Sequence, residues 1–142
     1  MASTKVETQI TWSAAASVSL NSASRVDSDA VTLNVEDYSG TLQIYADNSG
    51  TPASGDVVNV YIKYSNGDIL GDSGDDYDTA EHATFVGQLD TFASNVPGED
   101  PAMRTVEIPV VGRKALRVSV EAPQGATRSI TFRARLMTHR PQ

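Results

Sequence analysis

The sequence predicts an all-β protein, folded as a single antiparallel β-sandwich of about eight strands with a jelly-roll-like arrangement. Apolar and polar residues alternate along most of the chain, which is typical of strands with one buried and one solvated face. The alternating segments are short, and they end at clusters of Gly, Pro, Asn and Asp. The 142 residues suffice for one domain, which buries roughly two-thirds of the surface of its unfolded chain.

The longest clean alternation predicts a central strand with apolar residues at Val58, Val60, Ile62 and Tyr64. The other predicted strands lie at residues 10–12, 18–20, 31–35, 42–46, 106–110, 116–120 and 130–136. Residues 78–91 are ambiguous, because Asp78 and Glu81 could cap a helix whereas Gly87 weakens one. We expect one helical turn near residues 79–83 and then a short strand through residues 85–89.

The pattern also predicts where the domain begins and ends. Residues 1–8 are polar and lack turn chemistry, so we expect a flexible N-terminal arm. The sandwich domain then spans residues 9–138, and residues 139–142 form a frayed C-terminal tail.

The composition excludes several kinds of site. The chain has no cysteine, so it can hold neither a disulfide nor a thiolate metal site nor a cysteine nucleophile. The N-terminus lacks the apolar run of a signal peptide, and no uncharged apolar stretch approaches the length that spans a bilayer. We therefore expect a protein that is made in a cytoplasm and has no membrane partner.

The formal charge of −7 is unevenly distributed along the chain. Residues 1–100 carry sixteen Asp and Glu against three Lys and Arg, a net charge of −13, whereas residues 101–142 carry two against eight, a net charge of +6. An acidic total argues against nucleic acid as a partner, because duplex binding needs clustered basic residues. Either the basic C-terminal strands interleave with acidic ones in the fold, or the surface is bipolar and docks on a partner.

An acidic loop at residues 68–78 is the strongest feature that points toward a metal. It has five carboxylates and two glycines, and calcium prefers such oxygen ligands. No register of the loop supplies the EF-hand pattern, because Ala80 occupies the ligand position after Asp76 and Asp78. We therefore favour a solvated loop and predict no metal site, with calcium binding as the less favoured alternative.

Catalytic motifs are lacking. The two histidines are His82, in the ambiguous segment, and His139, in the predicted tail, and neither is placed for a Ser-His-Asp triad. The sequence contains no Gly-x-Ser-x-Gly elbow, no phosphate-binding glycine loop and no His-Glu-x-x-His motif. We expect no enzymatic activity and no cofactor.

Carbohydrate binding is the main alternative to a purely structural role, since jelly rolls often present aromatic rings to sugars. The alternation places Trp12 in the inward register beside Ile10, so it is expected in the core. Tyr61 is the one tyrosine predicted on the outer face of the central strand. A single ring makes a poor platform for a sugar.

Several segments of the chain resemble small all-β proteins encoded among the head genes of tailed bacteriophages. They are residues 46–56 leading into the strand at 57–65, and residues 77–82, 87–91, 101–106 and 126–128. The resemblance covers most of the chain, from about residue 10 to residue 136, and its motifs are turns and strand edges. It implies a jelly roll that binds the major capsid protein on the outside of the virion, as a decoration (cement) protein or head-fibre base. The alternative is a carbohydrate- or receptor-binding module of a fibre or tail.

The resemblance also implies self-association. Decoration proteins act where capsid subunits meet, and three-fold positions are common meeting points, so we expect a homotrimer. A cyclic trimer uses a heterologous interface, in which a basic face can meet a different, acidic face of the next copy. The candidate interface residues are Arg133 and Arg135, which alternation places on the outer face of the last strand.

Overall fold

The computed structural model describes residues 3–48, 52–94, 102–123 and 129–142. Ten strands and two short helical segments occur in this part of the chain. The strands are β1 (Ser3–Gln9), β2 (Val18–Leu20), β3 (Val26–Asp27), β4 (Val31–Thr32), β5 (Ser39–Asn48), β6 (Val57–Ser65), β7 (Thr84–Asp90), β8 (Ala102–Ile108), β9 (Ala115–Glu121) and β10 (Ile130–Pro141). A 3₁₀ turn at Ala80–His82 precedes β7, and a four-residue helix, α1 (Thr91–Ser94), follows it. No helix in the described ranges is long and apolar enough to cross a membrane.

The strands form two antiparallel sheets of five strands each, which confirms the predicted β-sandwich. The first sheet has the order β1, β10, β5, β8, and β2 also pairs with β10. The second has the order β3, β9, β6, β7, and β4 also pairs with β9. The predicted central strand is β6, which lies between β9 and β7.

Two pairs of short strands each act as one interrupted strand. β1 pairs with residues 135–141 of β10 and β2 with residues 130–132, both on the edge opposite β5. β3 and β4 run together along β9, and between them the Ser28 amide donates to the Val118 carbonyl at 2.8 Å. When β1 with β2 and β3 with β4 are each counted as one strand, the first of these strands pairs with the last strand, β10. The second pairs with the strand before it, β9. This is the arrangement of a jelly roll.

The core lies between the two sheets and contains the inward residues of the alternating segments. Burial of each large apolar side chain contributes about 1.5–3 kcal/mol. Trp12 lies in this core, as its register predicted, and its ring meets Phe132 edge-on with centroids 5.7 Å apart. The largest fully buried side chains are Phe132, Ile10, Leu42, Ile44, Ile62, Leu116, Ile130, Leu136, Val58, Val60, Val118 and Val120.

The structure corrects both predicted ends of the domain. Ser3–Gln9 is a strand rather than a flexible arm, and β10 continues to Pro141, through most of the predicted tail. The two segments pair with each other, from Ser3 opposite Pro141 to Gln9 opposite Arg135. Residues 1 and 2 of the predicted arm lie outside the described residues. An edge strand is held by backbone hydrogen bonds along one side, so a mostly polar sequence can form it.

Two other expectations have different outcomes. The predicted helical turn and strand at residues 79–89 are confirmed by the 3₁₀ turn and β7. The strand predicted at residues 31–35 is wrong beyond Thr32, because the chain turns and leaves Val35 95% exposed. The Asn34 side chain accepts the Glu36 amide at 2.8 Å, a local bond that favours a turn over a strand.

Candidate functional site

One end of the sandwich, which we call the loop end, collects three connections. They are residues 33–38, which enter β5, residues 66–83, which join β6 to β7, and residues 109–114, which join β8 to β9. The strand pairings place them together, because Gly40 lies opposite Ile108 in one sheet and Ser65 opposite Ala115 in the other. The described chain ends, Ser3 and Gln142, lie at the same end, since β1 pairs with the last residues of β10.

The loop end carries most of the exposed apolar side chains. Eight large apolar residues are exposed in the described part of the chain, and five of them are in these three connections. They are Val35, Tyr38, Ile69, Leu70 and Val111. Ile69 and Leu70 are 86% and 74% exposed, although they lie inside the acidic loop. Apolar groups gathered at one end are typical of a docking surface.

Carboxylates of the acidic loop hold these two apolar residues in place. Asp76 Oδ2 accepts the amides of Ile69 and Leu70 at 2.8 and 2.9 Å. Asp68 accepts the amides of Gly71, Asp72 and Ser73 at 2.7–3.1 Å, which lowers the pKa of Asp68 below its usual value. The carboxylates therefore serve as acceptors that fix the backbone of the loop.

The same carboxylates bear on the metal prediction. The carboxylates of Asp68, Asp72 and Asp76 come within 4.8 Å of one another, a proximity that the sequence pattern did not predict. Asp68 and Asp76 already accept five backbone amide bonds within the loop. The grouping thus has a structural use of its own, and we assign no metal to it.

The turn at residues 34–37 is also fixed. The Asp37 side chain is 1% exposed, accepts the Asn34 amide at 2.9 Å and pairs with Arg140 Nε at 2.8 Å. Arg140 is the last residue but one of β10, and it lies within the segment predicted as a tail. The ion pair therefore joins the loop end to the C-terminal strand.

Two open clefts at the loop end meet at Arg113. The larger, about 850 Å³, lies between the end of β6 and the acidic loop, and the smaller, about 560 Å³, lies beside Tyr38 and Val111. The guanidinium of Arg113 lies 4.7 Å from the centre of the Tyr64 ring. Tyr64 donates to the Pro109 carbonyl at 2.6 Å, and burial raises the pKa of Tyr64 to about 12. The positive charge of Arg113 thus lies where the two clefts meet.

The structure places the two histidines apart, on β10 and on the 3₁₀ turn. His139 Nδ1 lies 3.1 Å from Ser39 Oγ, and His82 Nδ1 lies 3.1 Å from Thr79 Oγ1. A hydrolase triad requires a carboxylate on the second ring nitrogen, which orients the histidine as a base. In the described structure, His139 hydrogen-bonds to Ser39 and to no carboxylate.

Tyr61, the predicted sugar-binding aromatic, is partly covered by its own chain. The Arg25 guanidinium lies 3.8 Å from the centre of the Tyr61 ring, and Phe85 meets the ring edge-on at 5.5 Å. The Tyr61 hydroxyl donates to Glu121 Oε1 at 3.0 Å. A sugar would have to displace Arg25 before it could stack on that face.

Arg133 and Arg135 are exposed on the outer face of β10, where alternation placed them. They differ in their surroundings. Arg135 donates to Glu7 at 3.3 Å and to Gln9 at 3.0 Å, both on β1, so it is already engaged within its own chain. No comparable contact of Arg133 occurs among the described residues.

The acidic and basic halves of the sequence interleave in the fold. In the described part of the chain, three ion pairs join an acidic residue before position 100 to a basic residue after it. They are Lys114–Asp75 at 2.8 Å, Arg140–Asp37 at 2.8 Å and Arg135–Glu7 at 3.3 Å. This supports interleaving, the first of the two interpretations of the charge division.

No family model matches the chain, and no curated protein matches it. A solved structure described as "Crystal Structure of FLHE" is similar at 12% identity, with 99% of this chain and 97% of that chain covered and a TM-score of 0.42. A likeness this weak carries no argument about function. The resemblance to phage head proteins has no family match behind it, so it enters below as a hypothesis.

Sequence reasoning missed the loop end as a site. Val35 continues the alternation of the predicted strand at 31–35, so periodicity assigned it to the core face, whereas Val111 follows the predicted strand at 106–110 and was given no role. The available signal was Ile69-Leu70, an apolar pair inside a run of carboxylates. Adjacent exposed apolar side chains of this kind indicate a surface that another molecule can cover.

Proposed function

We propose that this protein is a non-enzymatic virion structural protein that binds the outer surface of a phage capsid and stabilises it, as a decoration protein does. We assign docking to the loop end. The observation that carries this proposal is the gathering of Val35, Tyr38, Ile69, Leu70 and Val111 on fixed loops at one end of the sandwich. The identity of the partner, the major capsid protein, rests on the resemblance of the sequence.

The geometry of the loop end suits a docking role. Interfaces combine an apolar centre with a polar rim, and here Arg113 and the acidic loop border the apolar side chains. Ordering a mobile loop on binding costs free energy. The hydrogen bonds of Asp68 and Asp76 hold Ile69 and Leu70 in position beforehand, which reduces that cost.

The test is co-sedimentation with undecorated capsids assembled from the major capsid protein of the same genome. The wild type should sediment with the capsids and raise their melting temperature. The double variant Ile69→Asp/Leu70→Asp should bind at least about tenfold more weakly, because central apolar anchors each contribute more than about 1 kcal/mol to an interface.

The control is Phe92→Asp, which places one such charge on a half-exposed apolar residue beyond the end of β7 that lies away from the loop end. It should bind like the wild type. If the wild type fails to bind capsids, the proposed function is wrong. If the wild type and both variants bind equally, the function stands but the loop end is not its docking site.

A further inference from the structure

β1 presents a free edge of the first sheet. It pairs with β10 on one side, and no described strand pairs with its other side. The Ile10 amide donates to the Ala134 carbonyl at 3.1 Å, which sets the alternation of hydrogen-bonded pairs along β1 and β10. Lys5, Glu7 and Gln9 therefore direct their backbone N–H and C=O groups away from the sheet, where another strand could pair with them.

Charged side chains usually protect such an edge against pairing with other chains. β1 carries two charges, and they have opposite signs. Glu7 lies 3.3 Å from Arg135, whereas Lys5 makes no ion pair within the described part of the chain. Both side chains are exposed.

When β1 pairs with β1 of a second copy, the two-fold axis can pass through Lys5, Val6 or Glu7. Only one of these three registers places opposite charges across from each other. In an antiparallel pair, a residue with outward backbone groups must lie opposite another such residue. This allows Lys5 opposite Lys5, Glu7 opposite Glu7, or Lys5 opposite Glu7. The first two registers place like charges directly across from each other, which is destabilising. The third makes two Lys5–Glu7 pairs and centres the two-fold axis on Val6.

We propose that two copies of this chain form a dimer by antiparallel pairing of their β1 strands in that third register. Val6 is half-buried on the inner face, and on the axis it meets Val6 of the second copy at a non-hydrogen-bonded position, where side chains approach most closely. Thr4 then lies opposite Thr8. The two charges select the register instead of blocking the edge, and the interface is self-complementary, as two-fold symmetry requires.

The dimer does not depend on the proposed capsid binding. Because the paired strands are antiparallel, the two loop ends face in opposite directions, and each dimer offers one docking end on each side. The proposal replaces the trimer expected from the sequence, and its interface is the edge of β1 rather than Arg133 and Arg135 on β10.

The test uses light scattering and sedimentation of the full chain. The wild type should be a dimer. The variant Lys5→Glu, which has acids only on the edge, and the variant Glu7→Lys, which has lysines only, should each be monomeric and folded by circular dichroism. An equimolar mixture of the two variants should form heterodimers, since opposite charges then face each other again. Arg133→Glu, on the neighbouring strand, should remain dimeric.

A monomeric or trimeric wild type would overturn the proposal, as would a Lys5→Glu variant that still dimerises. Two folded, monomeric variants that fail to associate when mixed would also contradict the assigned register. Capsid binding by the loop end is measured separately with the Ile69→Asp/Leu70→Asp variant. Failure of one proposal therefore leaves the other standing.

Discussion

Tyr64 shows how one side chain joins the core to the loop end. It lies next to the last residue of β6, donates its hydroxyl hydrogen to the Pro109 carbonyl in the β8–β9 connection, and its ring faces the Arg113 guanidinium. Burial raises its folded pKa to about 12, whereas its unfolded pKa is 10.0. A group whose pKa is higher in the folded state contributes fully to stability at pH values below its unfolded pKa. That contribution is lost as the pH rises through its folded pKa.

We predict that Tyr64→Phe lowers the free energy of unfolding at neutral pH by about 1 kcal/mol, the typical worth of one hydrogen bond. The wild type should also lose stability between the unfolded pKa of 10.0 and the folded value of about 12, and the variant should lack this component. Thermal melts across that interval measure both effects. Parallel curves for the two proteins at alkaline pH would contradict the assignment.

Arg140 is a second residue whose removal tests the structure. It is the counter-ion of Asp37, whose side chain is 1% exposed. We predict that Arg140→Met destabilises the protein by about 3 kcal/mol, because a buried charge left without its partner is costly. Arg133→Met is the control and should change stability by less than about 0.5 kcal/mol. Denaturant titration checks both, and equal effects would mean that residues after 138 are a tail after all.

At the scale of elements, the turn between Trp12 and Ala15 places two residues that are not glycine in the left-handed region of backbone conformation. Ser13 and Ala14 have φ values of 48° and 68°, and Asp29 accepts their amides at 3.1 and 2.9 Å. Two consecutive positive φ values define a type I′ turn, which favours Asn-Gly. We predict that Ser13→Asn/Ala14→Gly raises the free energy of unfolding by about 1 kcal/mol, through relief of left-handed strain. A lower melting temperature in calorimetry would show that the turn differs from type I′.

The elements that sequence predicted are those in which burial and alternation coincide. β5, β6, β9 and β10 each have one face in the core, so period-2 patterning identified them. β1 was missed because backbone pairing, rather than apolar content, holds an edge strand. The loop end was missed because Val35 continues a strand alternation past the residue where local hydrogen bonds turn the chain.

At the scale of the whole molecule, the carboxylates of Asp27 and Asp29 accept hydrogen bonds from residues that are distant in the sequence. The pKa of Asp27 would be raised by burial, but hydrogen bonds from Lys63 and Ser119 outweigh this and lower it. The Thr11 hydroxyl and the Ala14 amide lower the pKa of Asp29. A lowered pKa means that the ionised carboxylate is bound more favourably in the folded state than in the unfolded chain.

Acid should therefore destabilise the protein through these carboxylates. A carboxyl group with a lowered folded pKa contributes stability above its unfolded value, and the contribution is lost as pH falls through the folded value. We predict a melting temperature that is steady above about pH 5 and falls steeply below about pH 4, where the unfolded carboxyl groups take up protons. Asp27→Asn and Asp29→Asn should each lower the melting temperature at pH 7 and flatten the acid decline. Asp47→Asn is the control, because Asp47 makes no side-chain hydrogen bond or ion pair in the described structure, and it should melt like the wild type throughout. A wild-type melting temperature that stays constant down to about pH 3 would mean that these carboxylates titrate alike in the folded and unfolded states.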